Sequence, residues 1–366
     1  MGSDQWSGQN YEQGNKIGRS FWLAWVATKL VGGSPDFAAD TRSEEPLLGG
    51  KSEMAKQSAA SNITNDPQTL PALSCSVGIM AYNEEANIGR LLNALLDQQT
   101  SCSVIKEIIV LASGCTDNTE SIVREFAARK PQIKLIVQPR REGKASAINL
   151  FLRHTQSDVV VLESADTMPE PATIDHLVAP FADPKVGMTG GHPVPTNDPR
   201  TFMGFAVHLL WGLHHQIAIQ QPKLGELIAF RRIFYRIPYD SAVDEASIEP
   251  LIRGQGYGLH YVPEAIVYNR GAQTVGDFLK QRRRIHAGHL KMRREQGYAV
   301  STMGGGHILM ALLRSWQWDR RYLLWTPLVI GLEVYGRILG WVDIRLKKRD
   351  HAIWEIAVTT KADIAP

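Results

Sequence analysis

Three cysteines in 366 residues are too few for a disulfide framework. Cys75, Cys102 and Cys115 also lack zinc-like spacing, so a reducing compartment is expected. An excess of one charge is missing too. The 40 Lys+Arg against 37 Asp+Glu leave a formal net charge of +3, which gives no global electrostatic case for nucleic acid. Long hydrophobic runs are few, and a 44% hydrophobic fraction excludes a polytopic membrane protein. The 21% charged fraction excludes a fully disordered chain. No small-residue cleavage site follows the first apolar run, Phe21–Val31, which argues against a secretory signal. No internal repeat is visible. The length suits one large or two ordinary domains with a real core.

What is present divides into three parts. Residues 1–72 hold the Phe21–Val31 run, read as a short helix that packs on the core or anchors at an interface. A linker over 33–72, rich in Ser, Ala, Gly, Pro, Asn and Asp, is expected to be mostly disordered. Residues 73–270 alternate apolar strand patterns (76–81, 108–112, 133–137, 158–163) with helical ones (84–98, 116–128, 143–153). Such alternation predicts an α/β fold with a mostly parallel sheet covered on both faces. Residues beyond 270 carry a basic cluster, Lys280 to Arg294, and then the largely apolar Tyr322–Trp341. Pro327, Glu333 and Arg337 interrupt that stretch, and charge is costly in hydrocarbon. Trp at its ends and the following Arg345, Lys347, Lys348 and Arg349 favour an interfacial helix over a buried or spanning one.

In parallel α/β sheets, ligands bind at the carboxyl ends of strands. The first such loop reads Ala81-Tyr82-Asn83-Glu84-Glu85, where Asn83 suits a helix cap. The second is Ala112-Ser113-Gly114-Cys115-Thr116-Asp117-Asn118-Thr119. The third, Arg140 to Asn149, places Arg140, Arg141, Gly143 and Lys144 at a helix N-terminus, a ready anion site. The fourth, Glu163-Ser164-Ala165-Asp166, ends a buried strand in carboxylates.

Taken in this order, the four loops resemble the family 2 glycosyltransferases, whose pattern is A-Y-N-E, D-x-G-S-T-D, G-K-x-x-A-L-N and D-x-D. The resemblance covers roughly residues 74–290 and implies a GT-A fold, a Rossmann-like sheet flanked by helices, over 73–290. It leaves 291–366 as a helical membrane-proximal tail. It implies that Ala81, Tyr82, Glu84, Ser113 and Asp117 line the donor nucleoside pocket. Lys144 would lie near that pocket or the phosphates. Asp166 matches the last acid of the metal motif, for Mg²⁺ or Mn²⁺, while Ser164 stands where the first acid is usual. Strand alternation points Glu163 to the opposite face. Ala112 replaces the aspartate that usually contacts the base.

Downstream, Gly225–Arg232 is similar to the family's segment under the acceptor site. Val243-Asp244-Glu245 is similar to its acid pair in inverted order, so Glu245 occupies the position of the catalytic base and Asp244 that of its neighbour. Inverting transfer needs such a carboxylate to take the proton of an attacking hydroxyl. Gln281 and Arg284 match the Q-x-x-R-W motif, with Ile285 in place of tryptophan, and Arg284 suits a diphosphate. His208, His214 and His215 are read as core or acceptor-pocket residues rather than metal ligands.

The resemblance thus implies an inverting, metal-dependent transferase that takes a sugar from a nucleotide-diphosphate donor, UDP-linked by preference. The acceptor expected is lipid, lipid-linked or glycan, with the protein peripheral on the cytoplasmic face of a membrane. Polysaccharide extension from a soluble acceptor is one alternative. A catalytically silent sugar-nucleotide-binding or scaffold protein is the other. Nucleic acid is not an expected partner.

Overall fold

The computed structural model describes residues 72–239, 244–297 and 305–347. The Phe21–Val31 run, the linker up to residue 71, Lys348 and Arg349 lie outside the described residues. The sequence alternation becomes β1 (Leu73–Ala81), α1 (Ile88–Leu96), β2 (Ser103–Ser113), α2 (Thr119–Arg129), β3 (Ile133–Gln138), α3 (Lys144–His154) and β4 (Val159–Ser164). These strands pair in parallel in the order β3-β2-β1-β4. Strand β4 shows why such runs read as unbroken apolar sequence. Val159 and Val161 enter the core formed with Ile88 and Leu91 of α1, whereas Val160 and Leu162 enter the opposite core with Ile148 and Phe151 of α3. Burial on both faces leaves no polar alternation.

The sheet continues to eight strands, ordered β3-β2-β1-β4-β7-β6-β8-β5. The added strands are β5 (Thr167–Pro169), β6 (Val186–Pro195), β7 (Ile228–Arg231) and β8 (Gly258–Asn269). A short helix, α4 (Thr173–Val178), joins β5 to β6. Strand β7 runs antiparallel between β4 and β6, and β5 antiparallel to β8, so the sheet is mixed with a parallel half. Helix α6 (Asp244–Arg253) packs Ile248 and Ile252 into the same core as Ile148 and Leu152 of α3.

A helical layer adjoins this sheet: α5 (Phe202–Gln220), α7 (Val275–Gln296), α8 (Gly305–Arg314) and α9 (Arg320–Val342). Leu209, Leu213, Phe278, Tyr322 and Val329 form its core. Helix α9 runs unbroken through Pro327, Glu333 and Arg337, the residues that interrupt its apolar sequence. Pro327 and Leu323, whose carbonyl loses the bond to the missing N–H, are both on the exposed side. Glu333 and Arg337 pair with each other at 3.0 Å. Helix α7 comes close to α9: a Cβ at Gly336 would lie 2.7 Å from Arg282 Cβ, and one at Gly340 2.6 Å from Arg283 O. Arg283 also pairs through two nitrogens with the fully buried Asp343.

The other side of α9 is bare. Leu324 is 69% exposed, Leu328 57%, Ile338 52% and Trp341 46%. This stripe is about 25 Å long at the helical rise per residue. Exposed Arg320 and Arg321 bound it at one end and Arg345 at the other. By length and composition, Arg320–Leu346 is the one segment among the described residues that could cross a membrane.

Candidate active site

Parallel pairing brings the four strand-end loops to one edge. Ala81 sits opposite Ala112, Ser113 opposite Gln138, and Met80 opposite Ser164. The first two loops are zipped together by side chains. Asn83 Oδ1 accepts from Thr116 N at 2.8 Å and its Nδ2 donates to Thr116 Oγ1 at 3.1 Å. Glu85 takes Asn118 N at 3.0 Å and Asn118 Nδ2 at 2.9 Å on one oxygen. Asp117 returns the contact, accepting from Glu85 N at 3.0 Å and from Thr119 N and Oγ1 at 3.0 and 2.6 Å. Burial alone would raise the Asp117 carboxyl, but these bonds hold it below the usual carboxylate range.

One sequence expectation changes here. Asn83 is not a helix cap: helix α1 begins only at Ile88 with Asn87 at its N-cap, and Asn83 adopts φ 52 in the left-handed region that asparagine tolerates. The Asp117 carboxylate, expected at the donor, is engaged in joining the two loops. Glu84 is buried, with its N–H on Thr119 Oγ1 at 2.7 Å and its carboxylate accepting from Asn87 Nδ2 at 3.3 Å.

The second and third loops meet at Gly114, which has φ 67. A Cβ there would fall 2.5 Å from Arg141 N, so only glycine allows the approach. Ser113 is buried and touches both Arg140 O and Glu142 N at 3.4 Å. Arg141 lies over the ring of Tyr82, next in sequence to Ala81, at 4.4 Å from its centroid.

The third and fourth loops meet at Lys144, the first residue of α3, whose Nζ donates to Ser164 Oγ at 3.4 Å. Asp166 is half-buried in the tight turn between β4 and β5, so it does not cap a helix. Thr167 Oγ1 pins that turn by donating to Ser164 O at 2.7 Å and to Glu163. Glu163 points inward, as alternation predicts, and burial pushes its carboxyl up to about 8, with Glu226 and Asp166 adding to the rise. Among the described residues no three His, Cys, Asp or Glu side chains form a metal cage. The oxygen donors present, one carboxylate and one hydroxyl beside an ammonium, suit a hard divalent cation that is completed by phosphate oxygens.

Asp244 and Glu245 are the first residues of α6, and their side chains lie outside the described residues. Gln281 and Arg284 are on α7, whose principal packing partners are α9 and the segment after it. One residue without an assigned role in the sequence reading stands out. Asn149 of α3 is 1% exposed, and its amide clamps the backbone of Ile237 from both sides. Nδ2 donates to Ile237 O at 3.0 Å, and Oδ1 accepts from Ile237 N at 2.7 Å. Ile237 belongs to the core that also holds Ile248 and Ile252 of α6. Helix α3 therefore carries Lys144 at its start and, further along, the clamp on the chain that leads to the acid pair. His208 bonds Asn197 O at 2.8 Å, and His215 bonds Tyr261 OH at 2.8 Å, so both are used in packing.

This mixed sheet, with its crowded carboxyl edge, is the GT-A class of fold. A mannosyltransferase from Pyrobaculum calidifontis, solved with GDP-Man and Mn²⁺, superposes with a TM-score of 0.55 at 22% identity, over 77% of this chain and 89% of that one. Residues 76–244 match the family model described as Glycosyl transferase family 2, in line with the resemblance carried by the four loops. A dolichyl-phosphate beta-glucosyltransferase of Trichomonas vaginalis is 34% identical over 93 residues, 24% of this chain and 28% of the relative. A poly-beta-1,6-N-acetyl-D-glucosamine synthase of Staphylococcus aureus is 24% identical over 230 residues, 59% of this chain and 55% of the relative. The chain thus spans only 28% and 55% of the lengths of these two relatives.

Proposed function

We propose that the protein transfers a hexosyl group, with inversion, from a nucleotide-diphosphate sugar to an acceptor hydroxyl at a membrane surface. The observation that carries this reading is the contact of Lys144 with Ser164 at the end of β4, two residues before Asp166, on the same sheet edge as the stacked Tyr82 and Arg141. A diphosphate leaving there needs positive charge. Asp166, with Ser164 beside it, would hold Mg²⁺ or Mn²⁺, which supplies charge neutralisation to the leaving diphosphate. Lys144 adds a cation of the protein's own at the N-terminus of α3. Ala81, Tyr82, Glu84 and Ser113 form the nucleoside side, and a uridine base is the preferred occupant. Gln281 and Arg284 complete the donor side from α7.

Glu245 takes the proton of the acceptor hydroxyl, helped in position by Asp244. The acceptor oxygen then forms the bond to the sugar carbon, as the bond from that carbon to the diphosphate oxygen breaks. The nucleoside diphosphate leaves with the electron pair. The bare apolar side of α9, bounded by arginines, supports a lipid or lipid-linked acceptor and a peripheral seat on the cytoplasmic face. Its other side is occupied by the charged helix α7, which argues for lying in the interface rather than spanning it.

Isothermal titration with a panel of UDP and GDP sugars tests the donor. Binding that requires Mn²⁺ and disappears in EDTA is expected. A panel that leaves the protein without any metal-dependent ligand would overturn the reading.

A further inference from the structure

Helices α7 and α9 meet over one short stretch. Gly336 and Gly340 let the backbones close in: a Cβ at Gly340 would lie 2.6 Å from Arg283 O and 3.1 Å from Ala287 N, and one at Gly336 2.7 Å from Arg282 Cβ. Just beyond Gly340, at the C-cap of α9, stands Asp343, whose side chain is fully buried. Arg283 meets it with two nitrogens, Nε donating to Oδ2 and Nη2 to Oδ1.

A fully buried carboxylate is costly to place, and a buried ion pair adds little net stability over well-packed apolar side chains of the same volume. What it adds here is geometry. Two carboxylate oxygens against two guanidinium nitrogens fix both a distance and an angle. The glycines set the separation of the two helices, and the ion pair sets the rotation of α7 about its own axis.

The same stretch of α7 carries Gln281 and Arg284. At about 100° per residue, Arg282, Arg283, His286 and Ala287 form the side toward α9, and Gln281 and Arg284 fall on the other side. A turn of α7 by about 20° would carry a side-chain end roughly 5 Å from the axis through about 2 Å. That displacement breaks a hydrogen bond.

We propose that Asp343 is a positioning residue for the donor: by holding Arg283 from behind, it sets the rotation of α7 and so the reach of Gln281 and Arg284 to the diphosphate. This role rests on the transferase reading, because only there do Gln281 and Arg284 contact the donor.

Isothermal titration of the full chain with UDP, and separately with GDP, each with Mn²⁺, tests it. Asp343→Asn keeps the shape of the side chain and removes its charge. It is expected to weaken binding of the preferred nucleotide by about tenfold, within the range of coupling between contacting groups. A role in folding alone would instead lower the number of sites in the titration and leave the affinity of the remaining sites unchanged. In a background of Gln281→Leu with Arg284→Met, the same Asp343→Asn change is expected to alter affinity by less than about twofold, because the groups it positions are gone. Should Asp343→Asn not fold, the pair Arg283→Met with Asp343→Leu removes both charges and keeps apolar packing, and the same loss of affinity is expected.

Wild-type affinity in Asp343→Asn, or a loss that persists undiminished in the background without Gln281 and Arg284, overturns the positioning role and leaves the transferase reading standing. Full affinity in the Gln281→Leu, Arg284→Met protein removes α7 from the donor side and the role of Asp343 with it. A wild-type protein that binds neither nucleotide with Mn²⁺ sinks the transferase reading and the positioning role together.

Discussion

Replacing Asn149 by alanine removes both halves of the clamp on Ile237 and leaves that residue's N–H and C=O without their partners. Asn149 and Ile237 are each 1% exposed, so bulk water does not replace the lost bonds. An unsatisfied buried group costs about 1–3 kcal/mol, and two such groups set the loss near ~3 kcal/mol if relaxation recovers part of it. For a domain of this size that corresponds to a fall in Tm of about 5 °C. Urea denaturation should show a lower midpoint at unchanged slope. The functional effect should exceed the loss of folded protein. A shift of roughly 1 Å between α3 and the chain leading to α6 would misalign acceptor against donor, which can cost about a hundredfold in turnover. Donor affinity should stay near wild type.

The Asn149→Asp variant adds a sign test. Its carboxyl can accept from Ile237 N but can donate to Ile237 O only when protonated, so its folded-state pKa is raised. Stability is then present at low pH and lost as pH rises through that value. Stability of Asn149→Ala within 0.5 kcal/mol of wild type, measured by urea denaturation, would refute the clamp.

Gly114→Ala places a side chain at φ 67 with its Cβ 2.5 Å from Arg141 N, and should cost about 2 kcal/mol or more in denaturation, with weaker donor binding. On anionic vesicles, the double change Leu324→Glu and Ile338→Glu should reduce flotation at least tenfold, and equal flotation would remove the membrane seat. Glu245→Gln should keep donor binding and lose transfer by roughly two orders of magnitude, the general-base scale, while Asp244→Asn loses less. The reverse ranking in single-turnover transfer would move the base role to Asp244.

The parallel half of the sheet was legible because its strands are buried on both faces and its helices on one, so periodicity alone separates them. The four loops were legible as a set for the same reason, since parallel strands deliver their ends to one edge. The use of each side chain was not. Asn83 looks like a cap by its neighbours in sequence, yet its partner is Thr116, 33 positions away. Asp117 and Glu85 likewise bond across the gap between two loops, a pairing that no local pattern encodes. Asn149 sits in a quoted segment, but its partner Ile237 is 88 positions away. Antiparallel β7 is only four residues long and gives little period to read. Glu333 and Arg337 look like faults in an apolar helix until α7 is placed against them.

Release of nucleoside diphosphate from the best-bound sugar nucleotide, with Mn²⁺ and in parallel for wild type and Asp166→Ala, bears most directly on the transferase reading. In the proposed mechanism Asp166 holds the metal that neutralises the diphosphate, so removing it would leave phosphate charge uncompensated. Expected is metal-dependent release by the wild type, abolished by EDTA and by Asp166→Ala, with the variant's thermal unfolding unchanged. Release that persists at the wild-type rate in Asp166→Ala, or that ignores EDTA, would contradict it.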